Sequence, residues 1–259
     1  MMDSIKVFLD EQLARTNTPA FAANDPVQFP RRYARLQDIE VVSFAVATIA
    51  WGNRRMILNN AARMLSNWGD SPYDYVMNEG YRALGKANVH RTFFEPDLAY
   101  MLRGFRHIFT SYGSVENLLV QREAGQAGAP AWFAASVMQA EMATANGGRC
   151  NGKCFPANIG TTALKRINMA LRWLVRRDGI VDLGVWRCIE PHQLYIPLDV
   201  HAGNTARALG LLQRKSNDRK AVEELTERLR AYCPEDPAKY DFALFGAGID
   251  RTVNTGIVL

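Results

Sequence analysis

Apolar residues recur three and four positions apart along nearly the whole chain, a spacing that admits helices almost everywhere and strands almost nowhere. From Ser4 to Ala14, Ile5, Phe8, Leu9 and Leu13 share one face. The run from Asp38 to Trp51 is so apolar that it reads as a helix central to the core. Helical patterns also cover Arg54–Trp68, Pro72–Asn78, Asp97–Tyr112, Ser114–Arg122, Pro130–Ala145, Thr161–Arg177, His201–Leu212, Asp218–Tyr232 and Pro237–Phe245. Strand signals are confined to Ile180–Leu183 and Leu194–Ile196, both short. The expected fold class is therefore all-α. The Gly-rich loop Asn146–Thr161 is the natural seam between two helical subdomains, a helical barrel over 37–160 and a second unit formed by 1–36 with 161–259.

A chain of 259 residues can bury a substantial core. No apolar run approaches the ~20 residues of a membrane-spanning helix, so no membrane partner is expected. The opening Met1-Met2-Asp3-Ser4-Ile5-Lys6 does not read as a signal peptide, which makes the cytoplasm the expected address. Net charge is +5, from 31 basic and 26 acidic residues, and its distribution says more than its size. Met142 to Arg177 contains no Asp or Glu but holds Arg149, Lys153, Lys165, Arg166, Arg172, Arg176 and Arg177. Such a block would track nucleic-acid phosphates, or it is a solvated basic helix face beside a loop; the residues alone leave both readings open. Cys150 and Cys154 are close in sequence, but no neighbouring His or second close pair completes a zinc site, so neither a metal nor a cofactor is expected.

Two residues stand out for chemistry. Lys165 lies near the start of the Thr161–Arg177 helix, at the edge of the stripe Leu164, Ile167, Leu171, Leu174. Lys165, Asn168, Arg172 and Arg176 follow as an adjacent polar ridge. Asp199 ends an apolar segment interrupted by Pro197 and precedes helical spacing, the position of an N-cap worth about 1 kcal/mol relative to Ala. A cap and a catalytic carboxylate are both compatible with that position. Trp51, Phe93, Trp132 and Trp173 would stack on a base or fill the core, and core is the commoner use of such aromatics. Asp241 reads as the partner of a buried structural hydrogen bond.

Ile196-Pro197-Leu198-Asp199-Val200-His201, with Arg207 and Leu209-Gly210-Leu211 after it, resembles the segment that carries the catalytic aspartate in helix-hairpin-helix DNA glycosylases. Tyr112-Gly113-Ser114-Val115-Glu116 is similar to another segment common in that superfamily. Blocks such as Trp51-Gly52-Asn53-Arg54, His90-Arg91-Thr92-Phe93, Leu164 to Asn168 and Asp236 to Gly246 are similar to those of a bacterial family of unknown function. The interval from Lys165 to Asp199 looks most like the archaeal 8-oxoguanine DNA glycosylase branch. No Leu-Pro-Gly-Val-Gly-type hairpin precedes Lys165, and the four-cysteine cluster of the endonuclease III branch is absent.

The glycosylase resemblance implies two helical subdomains flanking a cleft that receives an extruded nucleotide. It implies a base-excision repair enzyme acting on DNA that carries a damaged base, such as an oxidised purine. Lys165 is then the candidate Schiff-base nucleophile of a bifunctional glycosylase/lyase, and Asp199 the carboxylate that stabilises the sugar cation and holds or relays the proton that Lys165 loses. Arg149, Lys153, Arg166, Asn168, Arg172, Arg176, His90, Arg91 and His201 are the expected nucleic-acid contacts. Two other readings stay open: a non-enzymatic nucleic-acid-binding protein with this fold, and an N-glycosidase acting on nucleosides or modified RNA.

Overall fold

Residues 2–249, which the computed structural model describes, form twelve α-helices and one two-stranded antiparallel ribbon. In chain order these are α1 (Met2–Thr16), α2 (Pro19–Ala23), α3 (Leu36–Ile49), α4 (Arg54–Leu65), α5 (Pro72–Met77), β1 (Asn88–His90) and β2 (Phe93–Phe94). They continue as α6 (Glu95–Tyr112), α7 (Val115–Gln121), α8 (Pro130–Ala145), α9 (Lys165–Val175), α10 (Val200–Ala208), α11 (Arg219–Arg230) and α12 (Tyr240–Ile249). The protein is all-α in class, and every stretch with helical spacing carries a helix whose ends are shifted by a few residues. The sequence reading missed α2, although its start is well marked. Thr18 caps it by accepting from the Phe21 N–H at 3.2 Å, and Pro19 opens the first turn.

Both expected strands are corrected to irregular segments, and the reason is where their backbone groups go. Leu183 and Gly184 N–H donate to the Trp173 carbonyl and Trp186 N–H to that of Leu174, so this segment closes the C-terminal end of α9 rather than joining a sheet. The Asp178 carboxylate accepts from the N–H groups of Ile180, Val181 and Asp182, which bends the same segment. Ile196 N–H donates to Thr226 Oγ1 at 3.2 Å instead of to a neighbouring strand. The ribbon that does form pairs His90 with Phe93 around Arg91, which adopts the left-handed φ of +50°.

α3 is the central helix, buried over almost its whole length as its composition requires. It packs against α9 on one side and approaches α5 and α6 on the other. α6 lies along α8 and α7, while α12 is held between α1 and α10. One continuous apolar core runs through all of these, from Val42, Phe44 and Phe105 to Trp173, Leu225 and Phe242. Glu40 sits fully buried at its centre, where it accepts from the N–H groups of Val115 and Glu116, each at 2.9 Å, and from Trp186 Nε1 at 3.0 Å. It thereby satisfies the start of α7 from a distance. Burial pushes its carboxyl up to about 7 despite these three donors.

The Asn146–Thr161 loop is pinned at its middle. Asn151 and Lys153 donate to Asp97 at 3.0 and 2.8 Å, and Arg166 Nη1 donates to the carbonyls of Thr48 and Lys153. Among the described residues no helix is long and apolar enough to cross a membrane.

Candidate active site

Lys165 is the first helical residue of α9, and an unusual turn puts it there. Leu164 has φ +48° and ψ 38°, a left-handed conformation that costs a branched side chain on the order of 1 kcal/mol or more. Two contacts hold it: the Leu164 side chain is buried in the core, and Asn168 Nδ2 donates to the Ala163 carbonyl at 3.0 Å. The turn leaves the Lys165 side chain at the N-terminal end of the helix, one-third exposed, on the wall of a cavity.

Asp199 faces it from the start of α10. Its Oδ1 accepts from the Ala202 N–H at 2.8 Å, a true N-cap, and Asn217 Nδ2 donates to its carbonyl at 3.0 Å. Its Oδ2 lies 3.4 Å from Lys165 Nζ. The cap and the ion pair use different oxygens, so one carboxylate serves both.

The cavity around this pair has a volume of about 290 Å3, at the small end of ligand pockets. Phe21, Trp51, Phe242 and Phe245 supply aromatic walls. Asp25, Asp199 and Asp241 are matched there by Arg54, Lys165 and Arg172, so formal charges cancel. Arg54 lies over the rings of Phe21 and Phe245 and 3.4 Å from Asp25. Burial raises the Asp25 carboxyl, with Arg54 and Arg172 opposing. Burial likewise pushes Asp241 up to about 7, even though Arg172 donates to its Oδ2. Asp25, Arg54 and Asp241 were not singled out for chemistry from the sequence. Each sits in an ordinary local pattern, and only packing brings them beside Lys165.

The other expected contacts divide into two sets. His201 is exposed at the cavity and at an adjoining groove of about 580 Å3 that also touches Lys165, Thr162 and Asn217. Arg166 and Lys153 line a further hollow of about 400 Å3 beside Thr92. Trp51 forms part of the wall of all three spaces, with the Arg91 guanidinium 4.5 Å over its ring. Arg149 is exposed on the loop.

The remaining four are corrected from surface contacts to interior residues. His90 is fully buried: Asn60 Nδ2 donates to its Nδ1 at 2.9 Å and its Nε2–H donates to the Trp51 carbonyl at 2.8 Å. Asn168 is buried in the turn before α9. Arg172 and Arg176 are only 4% and 5% exposed, tied by ion pairs to acids from beyond the acid-free stretch. Arg172 binds Asp182 and Asp241; Arg176 binds Asp178, Asp182 and Asp236 at 2.6, 3.0 and 2.7 Å. A phosphate cannot reach these side chains without breaking that network. Of the four aromatics considered for stacking, Phe93, Trp132 and Trp173 are buried, Phe93 at the edge of the hollow beside Lys153, and Trp51 is the half-buried one that borders all three spaces.

Cys150 is exposed and Cys154 is buried, its thiol pushed up to about 12 chiefly by burial. Among the described residues no cluster of three or more His, Cys, Asp or Glu side chains is placed to hold a metal ion.

No curated protein and no solved structure matches the chain. A family model does, over residues 25–250, a span that contains every side chain of the cavity wall except Phe21. The chain therefore belongs to the family described as protein of unknown function (DUF2400).

Proposed function

We propose that this protein is a DNA base-excision glycosylase with abasic-site lyase activity, with Lys165 as nucleophile and Asp199 as the carboxylate beside it. The observation that carries the reading is the 3.4 Å approach of Lys165 Nζ to Asp199 Oδ2 on the wall of an aromatic-lined, charge-balanced cavity. An extruded base is planar and neutral, which suits Trp51, Phe242 and Phe245 as walls better than a phosphate would suit three carboxylates. Sequence resemblance around Asp199 supports the same reading.

In this mechanism the Lys165 amine, once it has given up its proton, attacks C1′ of the sugar. The N–C1′ bond forms as the glycosidic bond breaks, and that electron pair leaves with the base, which takes up a proton. Positive charge on the sugar is stabilised by the Asp199 carboxylate, held in place by its cap to Ala202. Transfer of a proton to O4′ then opens the ring and leaves a protonated Schiff base between Lys165 and C1′. Loss of a C2′ proton expels the 3′ phosphate by β-elimination. Backbone phosphates lie over the exposed Arg149, Lys153 and Arg91 beside the groove.

Borohydride trapping on a duplex with a preformed abasic site tests this directly, because it needs no knowledge of the lesion. The wild type forms a covalent adduct and Lys165→Gln forms none. Asp199→Asn slows base release by about 100-fold or more while folding is retained. Failure of the wild type to form any adduct overturns the lyase reading, and an adduct that persists in Lys165→Gln removes Lys165 as nucleophile.

A further inference from the structure

A basic hollow of about 550 Å3 opens on α6 and shares no wall residue with the Lys165 cavity. Glu79, Tyr81 and Arg82 line it from the turn after α5, and Arg103 and Arg106 from α6, with Ala145 from the end of α8. Glu79 adopts the left-handed φ of +59°, and the Tyr75 ring stands 2.3 Å from where a Cβ on Gly80 would sit, so packing rather than propensity fixes the turn. Among the described residues Glu79 is the one acid on this wall, and it faces three guanidinium groups. We propose, resting on the DNA reading above, that this hollow seats backbone phosphates of the duplex beyond the extruded nucleotide.

The bonding of the three arginines leaves donors for an anion. Arg82 Nη2 lies 2.6 Å from one oxygen of Glu79; Arg106 Nε lies 3.5 Å from the other and donates to the Met77 carbonyl at 3.3 Å. Arg106 thus uses its side edge within the protein, and its two Nη groups bond to no described residue. Such an end is the fork that grips two oxygens of one phosphate. Arg103 meets no acid: its Nη1 donates to Asn146 Oδ1, and its guanidinium lies 5.8 Å from the Tyr81 ring. Burial and Glu79 raise the Tyr81 hydroxyl while all three arginines oppose that rise, so their charges meet around it. His107, on the same wall, is paired with Glu141 at 3.0 Å.

Continuity with the exposed part of the Gly-rich loop favours DNA as the anion. Asn151 and Lys153 bond Asp97 near the start of α6, Asn146 Nδ2 donates to the Tyr100 carbonyl, and Arg103 donates to Asn146. The loop from Asn146 to Lys153, with Arg149 exposed between them, therefore runs beside the first turns of α6 and meets the hollow at Arg103. Asp97 and Arg106 are about 14 Å apart along the helix axis at 1.5 Å per residue, the rise of about four nucleotides of one strand. At the other end Lys153 lines a space whose Trp51 wall also belongs to the Lys165 cavity. The cations thus mark a path that starts beside the cavity. A free phosphate would use the same arginines, but only a strand engages both ends of this path.

The test is binding of a duplex that carries a tetrahydrofuran abasic analogue, followed by fluorescence anisotropy over a range of salt. Arg103→Gln with Arg106→Gln lowers the slope of log K against log salt by about 1.8, the value for two lost phosphate contacts. Neutral methylphosphonates, placed singly about four to eight nucleotides from the abasic site, weaken wild-type binding by about fivefold or more at one or two positions, which become silent in the double variant. Glu79→Gln removes the acid that competes with phosphate and tightens binding by about threefold or more, which decides the matter if the double variant does not fold. An unchanged slope in the double variant, methylphosphonate effects that persist in it, or a Glu79→Gln protein that binds no more tightly than wild type overturns the proposal. Wild-type protein that binds no duplex at all is the distinct failure of the DNA reading.

Discussion

Two parts of one basic stretch meet opposite fates. The loop half, with Arg149 and Lys153, stays at the surface, whereas the helical half, with Arg172 and Arg176, is buried. Nothing within Met142–Arg177 separates them, since no acid occurs anywhere in that stretch. The acids that neutralise the helical half come from Asp178 and Asp182 just beyond it and from Asp236 and Asp241 about sixty residues on. A run of like charge in a sequence is thus no measure of surface potential, because tertiary partners decide which charges water sees. Glu40 sharpens the contrast: it is as buried as Asp182, yet only neutral N–H donors hold it.

The largest effect is expected from breaking the buried half. Arg176→Met leaves Asp178, Asp182 and Asp236 without their shared cation, and burial has already pushed Asp182 up to about 6 with both arginines present. The expected loss is about 3–5 kcal/mol, read from the urea midpoint. A loss below about 1 kcal/mol would mean that the network contributes little.

Glu40 gives the next effect, and it depends on pH. Its folded value of about 7 lies above the ordinary 4.5, so the folded state holds the proton more tightly than the unfolded chain. The stability this contributes is complete below pH 4.5, declines as pH rises, and is gone above 7, a change on the order of 3 kcal/mol. Denaturation of wild type and Glu40→Gln across that range should show a difference in slope. Parallel curves for the two proteins would refute the assignment to Glu40.

The surface half yields the smallest change in stability. Arg149→Ala combined with Lys153→Ala should cost under about 1 kcal/mol, because Lys153 is 46% exposed and its partner Asp97 keeps other donors. Burial would raise the Asp97 carboxyl, but Lys153, Asn151 and the Phe94 N–H together hold it below its ordinary value. The double variant should instead flatten the salt dependence of duplex binding by about 0.9 per lost phosphate contact. An unchanged slope would place the DNA path elsewhere.

The site was legible only where its signal was local. Asp199 could be read as a cap because a proline and an apolar run precede it and helical spacing follows, and the structure shows that cap. The start of α9 was less legible, since its turn depends on a left-handed leucine that no propensity favours. Arg172 and Arg176 were misplaced because their spacing puts them next to the apolar stripe, where exposure and buried pairing look alike. Asp25 and Asp241 gave no signal of a shared site, as more than two hundred positions separate them.

By itself the sequence determined the all-α class, the position of nearly every helix, and the point where Asp199 opens its helix. These follow from interactions between residues a few positions apart: apolar periodicity, caps, and proline or glycine at the ends. Tertiary structure alone decided that Lys165 and Asp199 lie 3.4 Å apart, that Asp25, Arg54 and Asp241 complete their cavity, and that Arg172 and Arg176 of the basic stretch are interior. The physical reason is that burial and ion pairing act through space. Which acid meets which base is fixed only when the whole core closes around them.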